Sequence, residues 1–466
     1  MSDQTSHPVD RRWFLGSSAA ALGYFMTADK LSAVRAADEP SSKLRIAGIG
    51  VGGKGSSDID QAGNVGQIVA LCDIDEGNLG AKTKKWPEAA KYFDYRKMLE
   101  EQAKSIDAVV VSTPDHNHAL PSLMAMRMKK HVYCQKPLTH TVFEARLMRE
   151  TAKKYGVCTQ MGNQGSAESG LRRAVELVQD GLLGEIKEIH VWTNRPIWPQ
   201  APGVIKRPDG EKPVPASVHW DEFIGPAPMR PYNAGYHPFA WRGWLDFGTG
   251  ALGDMACHTA NMAFRACELV SPTTIEADAT DVNPETYSSS AKIAFDYPKR
   301  GDKPHQSALK FYWYEGKRDG KKVLPPEELL AKLLKEKEKL SDSGSIIVGS
   351  KAILFSPNDY GAQFRIIGAE APNVSKPERL PVNGKGDQGM KSEWAQAIRD
   401  GKPEVAYSNF DIAGMLTEAI LLGNVAIRAG KKLEFDAAAL KITNDKAANL
   451  LLSKEYRKGW EVTEKA

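Results

Sequence analysis

The run Leu44–Ile49 followed by Gly50-Val51-Gly52-Gly53-Lys54-Gly55 constrains the fold of this chain more than any other feature. A short β-rich run that ends in G-x-G-x-x-G and opens a helix is the phosphate-binding turn of a doubly wound α/β domain. In the register Gly50, Gly52, Gly55, the first glycine permits the tight turn and the second lets backbone approach a pyrophosphate. The third lets helix and strand pack closely. The anion then rests on unpaired N–H groups of the helix N-terminus, and Gly53 lies in the same turn. A register beginning at Gly48 also matches the pattern but puts its first glycine inside the strand. The next β-rich run, Ile68–Cys72, ends in Asp73, 18 residues past Gly55, where this fold needs an acceptor for ribose hydroxyls. Asp73 and the nearby Asp75 would repel a 2′-phosphate, so the expected cofactor is NAD rather than NADP. The plainer reading of Asp73 is a strand-end carboxylate that caps the following helix.

The alternation of strands and helices continues through Ala108–Ser112, His131–Cys134 and Cys158–Met161, with helical patterns at Ala119–Lys129 and Val142–Tyr155, the latter ended by Gly156. After Gly165 it changes to a helix near Leu171–Asp180, a strand at Glu185–Thr193, and a Pro- and Trp-rich stretch to about Gly253. Pro196, Pro199, Pro202, Pro208, Pro213 and Pro215 deny that stretch regular structure, which makes it a long loop of the kind that carries function. Beyond it, Thr274–Ala279, Ser290–Phe295, Ala308–Tyr314 and Ile346–Phe355 read as strands, and Glu327–Lys339 as a solvated helical insertion. The expected class is α/β: a Rossmann dinucleotide-binding domain at 43–164, then an α+β domain at 165–466 with a mostly antiparallel sheet. One face of that sheet is free for a helix layer or a second subunit, so a homo-oligomer, dimer or tetramer, is expected through it.

The first 36 residues read as a leader. Arg11-Arg12-Trp13-Phe14-Leu15 is a twin-arginine pair, Leu15–Met26 is an apolar run too short to span a bilayer, and Val34 and Ala36 suit cleavage after Ala36. Export, periplasmic and without a stable membrane anchor, is the expectation. Five cysteines without CxxC spacing read as reduced buried thiols. Lys plus Arg (62) nearly balances Asp plus Glu (58), which leaves no electrostatic footprint for nucleic acid.

Two later motifs, Gln135-Lys136-Pro137 after the fourth expected strand His131–Cys134 and Asp254-Met255-Ala256-Cys257-His258, complete a set with Thr113-Pro114-Asp115-His116-Asn117-His118. With this set the chain resembles the glucose-fructose oxidoreductase, inositol dehydrogenase and rhizopine-catabolism family. That family carries Glu-Lys-Pro after the equivalent strand and Asp-x-x-x-His at the head of a helix. The resemblance implies an NAD-dependent oxidoreductase acting on a hydroxyl of a sugar, polyol or glycoside. It assigns Lys136 to the reacting hydroxyl, with a place beside the cofactor as well, and His258 to its proton. It places Thr113, Pro114 and His118 beside the nicotinamide. Independently, a histidine suits a general base, and Asp254 and His258, four apart, share a helix face on which the carboxylate can orient the imidazole. The plain readings are an N-cap aspartate, a core histidine and a surface lysine. Gln135 departs from the family's Glu, and a neutral amide cannot pair with Lys136 as a carboxylate would.

Trp192, Trp198, Trp220, Trp241 and Trp244 with Tyr232, Tyr236, His237 and Phe239 crowd the loop region, where aromatic faces suit sugar rings. Asn163, Arg195, Tyr236, His237, Trp241 and Arg242 are the candidate substrate residues, Asp246 a further rim group, and about half of these aromatics are expected to be core. His116 and His118 invite a metal reading, but no further ligands stand at suitable spacing, so none is expected. A redox-neutral glycosidase or lyase, and a silent dinucleotide binder, remain as alternatives.

Overall fold

The structure, a computed structural model, describes residues 43–463 apart from 198, 202, 205, 374, 375 and 383. The expected leader, with Trp198 and Pro202, lies outside the described residues.

A parallel sheet forms first. Its strands β1 (Arg45–Ile49), β2 (Gln67–Cys72), β3 (Ala90–Tyr92), β4 (Ala108–Val111), β5 (His131–Cys134) and β6 (Thr159–Met161) lie in the order β3-β2-β1-β4-β5-β6. The order reverses between β1 and β4, and the crevice at such a switch point, outside the carboxyl ends of the strands, is where this architecture binds ligands. The helices α1 (Gly53–Ala62), α2 (Glu76–Lys85), α3 (Tyr95–Glu101), α4 (Ala119–Arg127) and α5 (Val142–Tyr155) provide the crossovers. α5 runs between the limits its sequence predicts: Thr141 and Glu144 form a capping box, and Gly156 ends it at φ +62°. β3, three residues long, had no counterpart among the expected strands.

After α6 (Ser169–Gln179), strand β7 (Ile186–Trp192) enters a second sheet. The long loop follows, interrupted by α7 (Trp220–Ile224) and a 3-10 turn at Ala240–Gly243, and leads into α8 (Gly250–Thr259) and α9 (Asn261–Ala266). The sheet then adds β8 (Thr274–Thr280), β9 (Ser290–Tyr297) and β10 (Leu309–Arg318) on one side of β7, with the short β11 (Lys321–Lys322) against β10. β7 and β10 pair in parallel and the other neighbours are antiparallel. The run expected as one strand over 346–355 is a hairpin, β12 (Gly344–Gly349) and β13 (Ile353–Ser356), because the polar Ser350-Lys351 pair turns the chain. The edge strand β14 (Arg365–Ile367) follows.

The inner face of this sheet, with Ile189, Val191, Ile293, Phe295 and Trp313, packs in the main core. The outer face carries Trp192, Tyr314, Ile346 and Phe355, over which the insertion folds: α10 (Glu327–Leu333) is shorter than expected and is not simply solvated. Its Leu329, Leu330 and Leu333 pack on the sheet while its Glu and Lys residues stay in water.

Two long helices, besides several short ones, had no counterpart in the expectations. α11 (Gly386–Asp400) returns to the first sheet, where Trp394 and Met390 join Val110 and Tyr133 in one apolar cluster. α12 (Phe410–Ala429) is long and apolar enough to cross a membrane, yet 83% of its most apolar window is buried in the fold. It packs close to α8 at Gly423, where a Cβ would stand 2.7 Å from Leu252. β15 (Leu433–Asp436), β16 (Lys441–Ile442) and α13 (Lys446–Leu450) complete the fold at the β8 edge.

Candidate active site

A cleft of about 460 Å³ opens at the switch point. Its floor begins at the glycine turn. Gly50, at φ +74°, donates its N–H to the Cys72 carbonyl at 2.8 Å and leaves no room for a side chain, since a Cβ would lie 2.8 Å from the Ser112 carbonyl. At Gly55 a Cβ would approach the Gly50 carbonyl to 1.8 Å, so helix and turn touch there. Both facts select the register Gly50, Gly52, Gly55. Gly50, Gly52 and Gly53 line the cleft, while Gly55 lies beneath it.

Asp73 lines the cleft beside them, and its Oδ2 accepts from Val51 N (2.7 Å) and Gly52 N (2.9 Å). Its Oδ1 accepts from Asp75 N at 2.9 Å. The carboxylate therefore holds the glycine turn in shape. Burial raises its pKa against the pull of these donors. The cap of α2 is Asp75, not Asp73.

Thr113, Pro114 and His118 line the opposite wall. His118 sets Nδ1 against the Pro137 carbonyl (2.7 Å) and Nε2 against the Thr113 carbonyl (2.8 Å), and burial lowers it to about 4, so it is neutral. Neither it nor His116, which faces the Phe223 and Phe247 carbonyls, stands in a metal-type cluster, and none occurs among the described residues.

At the far end stands the central pair. Lys136 Nζ donates to an oxygen of the Asp254 carboxylate and to the Asp254 carbonyl (3.2 Å). Burial alone would lower the lysine, but the Asp254 charge outweighs it and holds the ammonium above its ordinary value. Burial likewise opposes ionisation of Asp254, and Lys136 overrides it, leaving the carboxyl at about 2. The second Asp254 oxygen accepts from the Gln200 side chain. The expected partnership of Asp254 with His258 is thus replaced. The two do share one helix, but the carboxylate is engaged by Lys136 and Gln200, and His258 Nδ1 is buried without a partner. Burial, followed by the Lys136 charge, lowers His258 to about 3, so its imidazole is neutral. It packs edge-on to Tyr360 and is not among the residues lining the cleft.

Gln135 does not pair with the Lys136 ammonium. Its Nε2 donates to Asp58 Oδ2 (2.8 Å), a fully buried carboxylate that also receives Ser112 Oγ, Lys54 Nζ (2.6 Å) and Lys391 Nζ from α11. A glutamate at 135 would set two carboxylates together there, whereas an amide completes the set. The charge that Gln135 lacks toward Lys136 comes from Asp254.

Of the candidate substrate residues, His237, Trp241 and Arg242 line the cleft, with the Arg242 guanidinium over the Trp241 ring at 4.3 Å. Tyr236 does not: it stacks with Trp220 and meets Trp244 and Phe247 edge-on in a separate apolar cluster. Asn163 is fully buried, its amide donating to the Cys257 carbonyl and its oxygen accepting from Ser166. Arg195 stands near enough to act electrostatically on His258, and its buried Nε has no partner. Asp246 pairs with Arg230. The loop closes over the cleft, since Asp75 bridges to Val218, His219 N donates to the Ile74 carbonyl (2.8 Å), and the His219 ring stacks on Phe93 at 3.9 Å.

Sequence reasoning passed over Gln200, which has no motif around it, and Asp115, which lay inside a quoted motif without being singled out. Asp115 lines the cleft at 5% exposure.

Two family models match the chain. One, described as oxidoreductase family, NAD-binding Rossmann fold, matches residues 44–163; the other, oxidoreductase family, C-terminal alpha/beta domain, matches residues 170–302. Among curated proteins, D-glucoside 3-dehydrogenase of Escherichia coli K12 is 33% identical over 149 residues, covering 31% of this chain and 42% of that one. The 2,7-anhydro-N-acetylneuraminate hydratase of the same organism is 32% identical over 97 residues, 20% of this chain and 26% of that one. The chain therefore spans less than half the length of either relative. Among solved structures, an inositol dehydrogenase homologue from Azotobacter vinelandii, complexed with NADH and myo-inositol, superposes with a TM-score of 0.58 at 16% identity, over 85% of this chain and 98% of the other.

Proposed function

We propose that the chain, which belongs to the glucose-fructose oxidoreductase, inositol dehydrogenase and rhizopine-catabolism family of oxidoreductases, oxidises a hydroxyl of a sugar, polyol or glycoside with a tightly retained NAD. The observation that carries this reading is the Lys136–Asp254 pair at the end of a cleft whose other end is the glycine turn.

The residues fit the cofactor. The turn at Gly50, Gly52 and Gly53 carries no side chain where a pyrophosphate would approach, although its Val51 and Gly52 N–H groups are held by Asp73, which stands for the ribose, and Thr113, Pro114 and His118 form the wall beside the nicotinamide. When bound, NAD supplies the acceptor for a hydride. The protein supplies the rest. Lys136, kept charged by Asp254, donates a hydrogen bond to the reacting oxygen and favours the negative charge that develops there. His258, whose imidazole is neutral, is the group assigned to the hydroxyl proton; its unpartnered Nδ1 is sealed inside the fold and the residue stands behind the cleft lining. Gln200 and Lys136 hold the two oxygens of Asp254, and with it the lysine. His237, Trp241 and Arg242 offer an aromatic and cationic wall for a small carbohydrate.

The closed loop and the twin-arginine leader support retention. An exported enzyme has no dinucleotide pool to exchange with, so periplasmic placement favours a cofactor that stays. A homo-oligomer through the second sheet is supported by its outer face, where Lys292 is exposed and Glu188 and Tyr312 are half-buried. A redox-neutral cycle of oxidation, elimination and hydride return is the second reading, favoured by the similarity to a hydratase. Reduced nicotinamide formed on mixing the holoenzyme with methyl glucosides or myo-inositol supports the first reading. Hydrolysed glycoside without net reduction, followed by mass spectrometry and with no acceptor added, supports the second. Neither signal from any member of such a panel overturns both.

A further inference from the structure

Alcohol oxidation needs one group for the hydroxyl proton and one donor for the oxygen, and His258 and Lys136 already fill those places. The cleft holds a further carboxyl. Asp115 follows β4 in the turn beside the nicotinamide wall, and its Oδ2 accepts from the Thr249 hydroxyl at 2.7 Å. That contact fixes the carboxyl from the N-cap of α8, the helix that carries Asp254. Among the described residues its Oδ1 has no hydrogen-bonding partner, and Asp115 lines the cleft, which leaves that oxygen as the one available to a ligand there.

We propose that Asp115 is a further catalytic residue, the base that removes the C–H proton next to the carbonyl of a bound keto-sugar, giving this site an enolisation activity beyond hydride transfer. The inference rests on the reading that the cleft takes sugars. The electron pair of the C–H bond moves into the new C=C bond while the carbonyl pair moves to oxygen, which becomes an enolate beside the Lys136 ammonium. The proton goes to Asp115 Oδ1. Return of a proton from the same carboxyl restores the ketone, with solvent hydrogen once the carboxyl has exchanged. Where an oxygen substituent sits on the next carbon, the enolate expels it, the C–O bond breaks, and the departing oxygen takes the proton from Asp115. No oxidant or reductant enters either step.

The ionisation of Asp115 suits the task. Burial pushes it up, the Thr249 hydrogen bond and Lys136 pull it back, and the balance falls at about 7. Such a carboxyl is poised near working pH, where a base and its conjugate acid are both available. The titratable groups that face it are Lys136 and Arg242, which favour the carboxylate, and Asp254, which opposes it. Cys134, Cys257 and Tyr287, all held neutral by burial, complete its surroundings.

The test uses the holoenzyme in D2O with two probes, methyl α-D-3-ketoglucoside and the 2-ketone of myo-inositol, and follows deuterium uptake beside the carbonyl by NMR. The wild type is expected to exchange at least one probe faster than buffer, with a rate that rises through about pH 7. Asp115→Asn keeps the acceptor for Thr249 and should lower exchange by on the order of 10²–10⁴-fold. The same variant should still reduce its bound nicotinamide when given the alcohol forms of the probes, which shows it folded and loaded. Exchange in Asp115→Asn equal to wild type overturns the proposal, as does a wild type that exchanges neither ketone. If neither alcohol is oxidised by the wild type, it is the proposed function that has failed, and this is read in the nicotinamide absorbance independently of the deuterium.

Discussion

The two ends of the cleft are built by different means. At the glycine turn, ligand-facing groups are backbone, and their geometry is set by a positive φ at Gly50 and by the closeness of Gly55 to the Gly50 carbonyl. At the far end they are side chains, and Lys136, Asp254 and Gln200 reach one another from three separate segments. Backbone shape is encoded by a few adjacent residues, whereas a side-chain pair is made only when distant segments arrive together. The two ends should therefore fail differently: substitutions at the far end cut turnover and spare the dinucleotide, and those at the turn do the reverse.

The strongest test is Lys136→Ala. Loss of the ammonium on Asp254 Oδ1 should lower kcat by on the order of 10²–10⁴-fold, with the dinucleotide still released from the denatured protein. His258→Ala should fall in the same range with the cofactor in place; near-full turnover would move the general base elsewhere. Loss of cofactor in either variant breaks the comparison.

At the other end, Gly55→Ala forces a methyl into the Gly50 carbonyl and should cost about 1–3 kcal/mol of stability, seen in the denaturation midpoint, together with weakened NAD binding. Unchanged binding would mean that the turn tolerates displacement. Asp73→Ala removes the ribose acceptor and the acceptor for Val51 and Gly52 N–H, and should relax the preference for NAD over NADP by roughly ten-fold, about 1.4 kcal/mol. A constant ratio in binding titrations places the determinant elsewhere.

Asp254→Asn should have the smallest effect near neutral pH. Asp254 raises Lys136, so the ammonium is lost only as pH rises through an elevated value. Without the carboxylate that value drops, and the alkaline limb of the rate profile should move to lower pH. A limb that stays in place would show that Lys136 does not limit the rate. In stability the sign is opposite: the depressed Asp254 pKa contributes fully above the unfolded value of about 4, and the contribution is lost as pH falls toward about 2.

The same contrast explains what was legible beforehand. The turn, Asp73 and five of the six parallel strands were readable because each is written in a few consecutive residues. β3 was not, being too short to show a period. α12 is buried on nearly every side, so it shows no amphipathic stripe. In the site, spacing placed Asp254 and His258 on one helix, which is correct, but spacing cannot say whom the carboxylate prefers. Lys136, 118 positions away, takes it. Asn163 and Tyr236 look like ligand residues by type and prove to be engaged within the fold.

The ion pair between Asp58 of α1 and Lys391 of α11 has a consequence for how the protein is made. The ribosome delivers the glycine-turn helix early and its countercharge near the end of the chain, and both side chains are fully buried in the finished fold. A buried carboxylate stripped of a buried cationic partner destabilises by about 3–5 kcal/mol. The nascent dinucleotide domain therefore has only Lys54 of its own helix on Asp58 until α11 is made, after strands β7 to β14 of the second sheet. A chain that ends before α11 lacks both this ion pair and the Met390 and Trp394 side chains that pack on the first sheet.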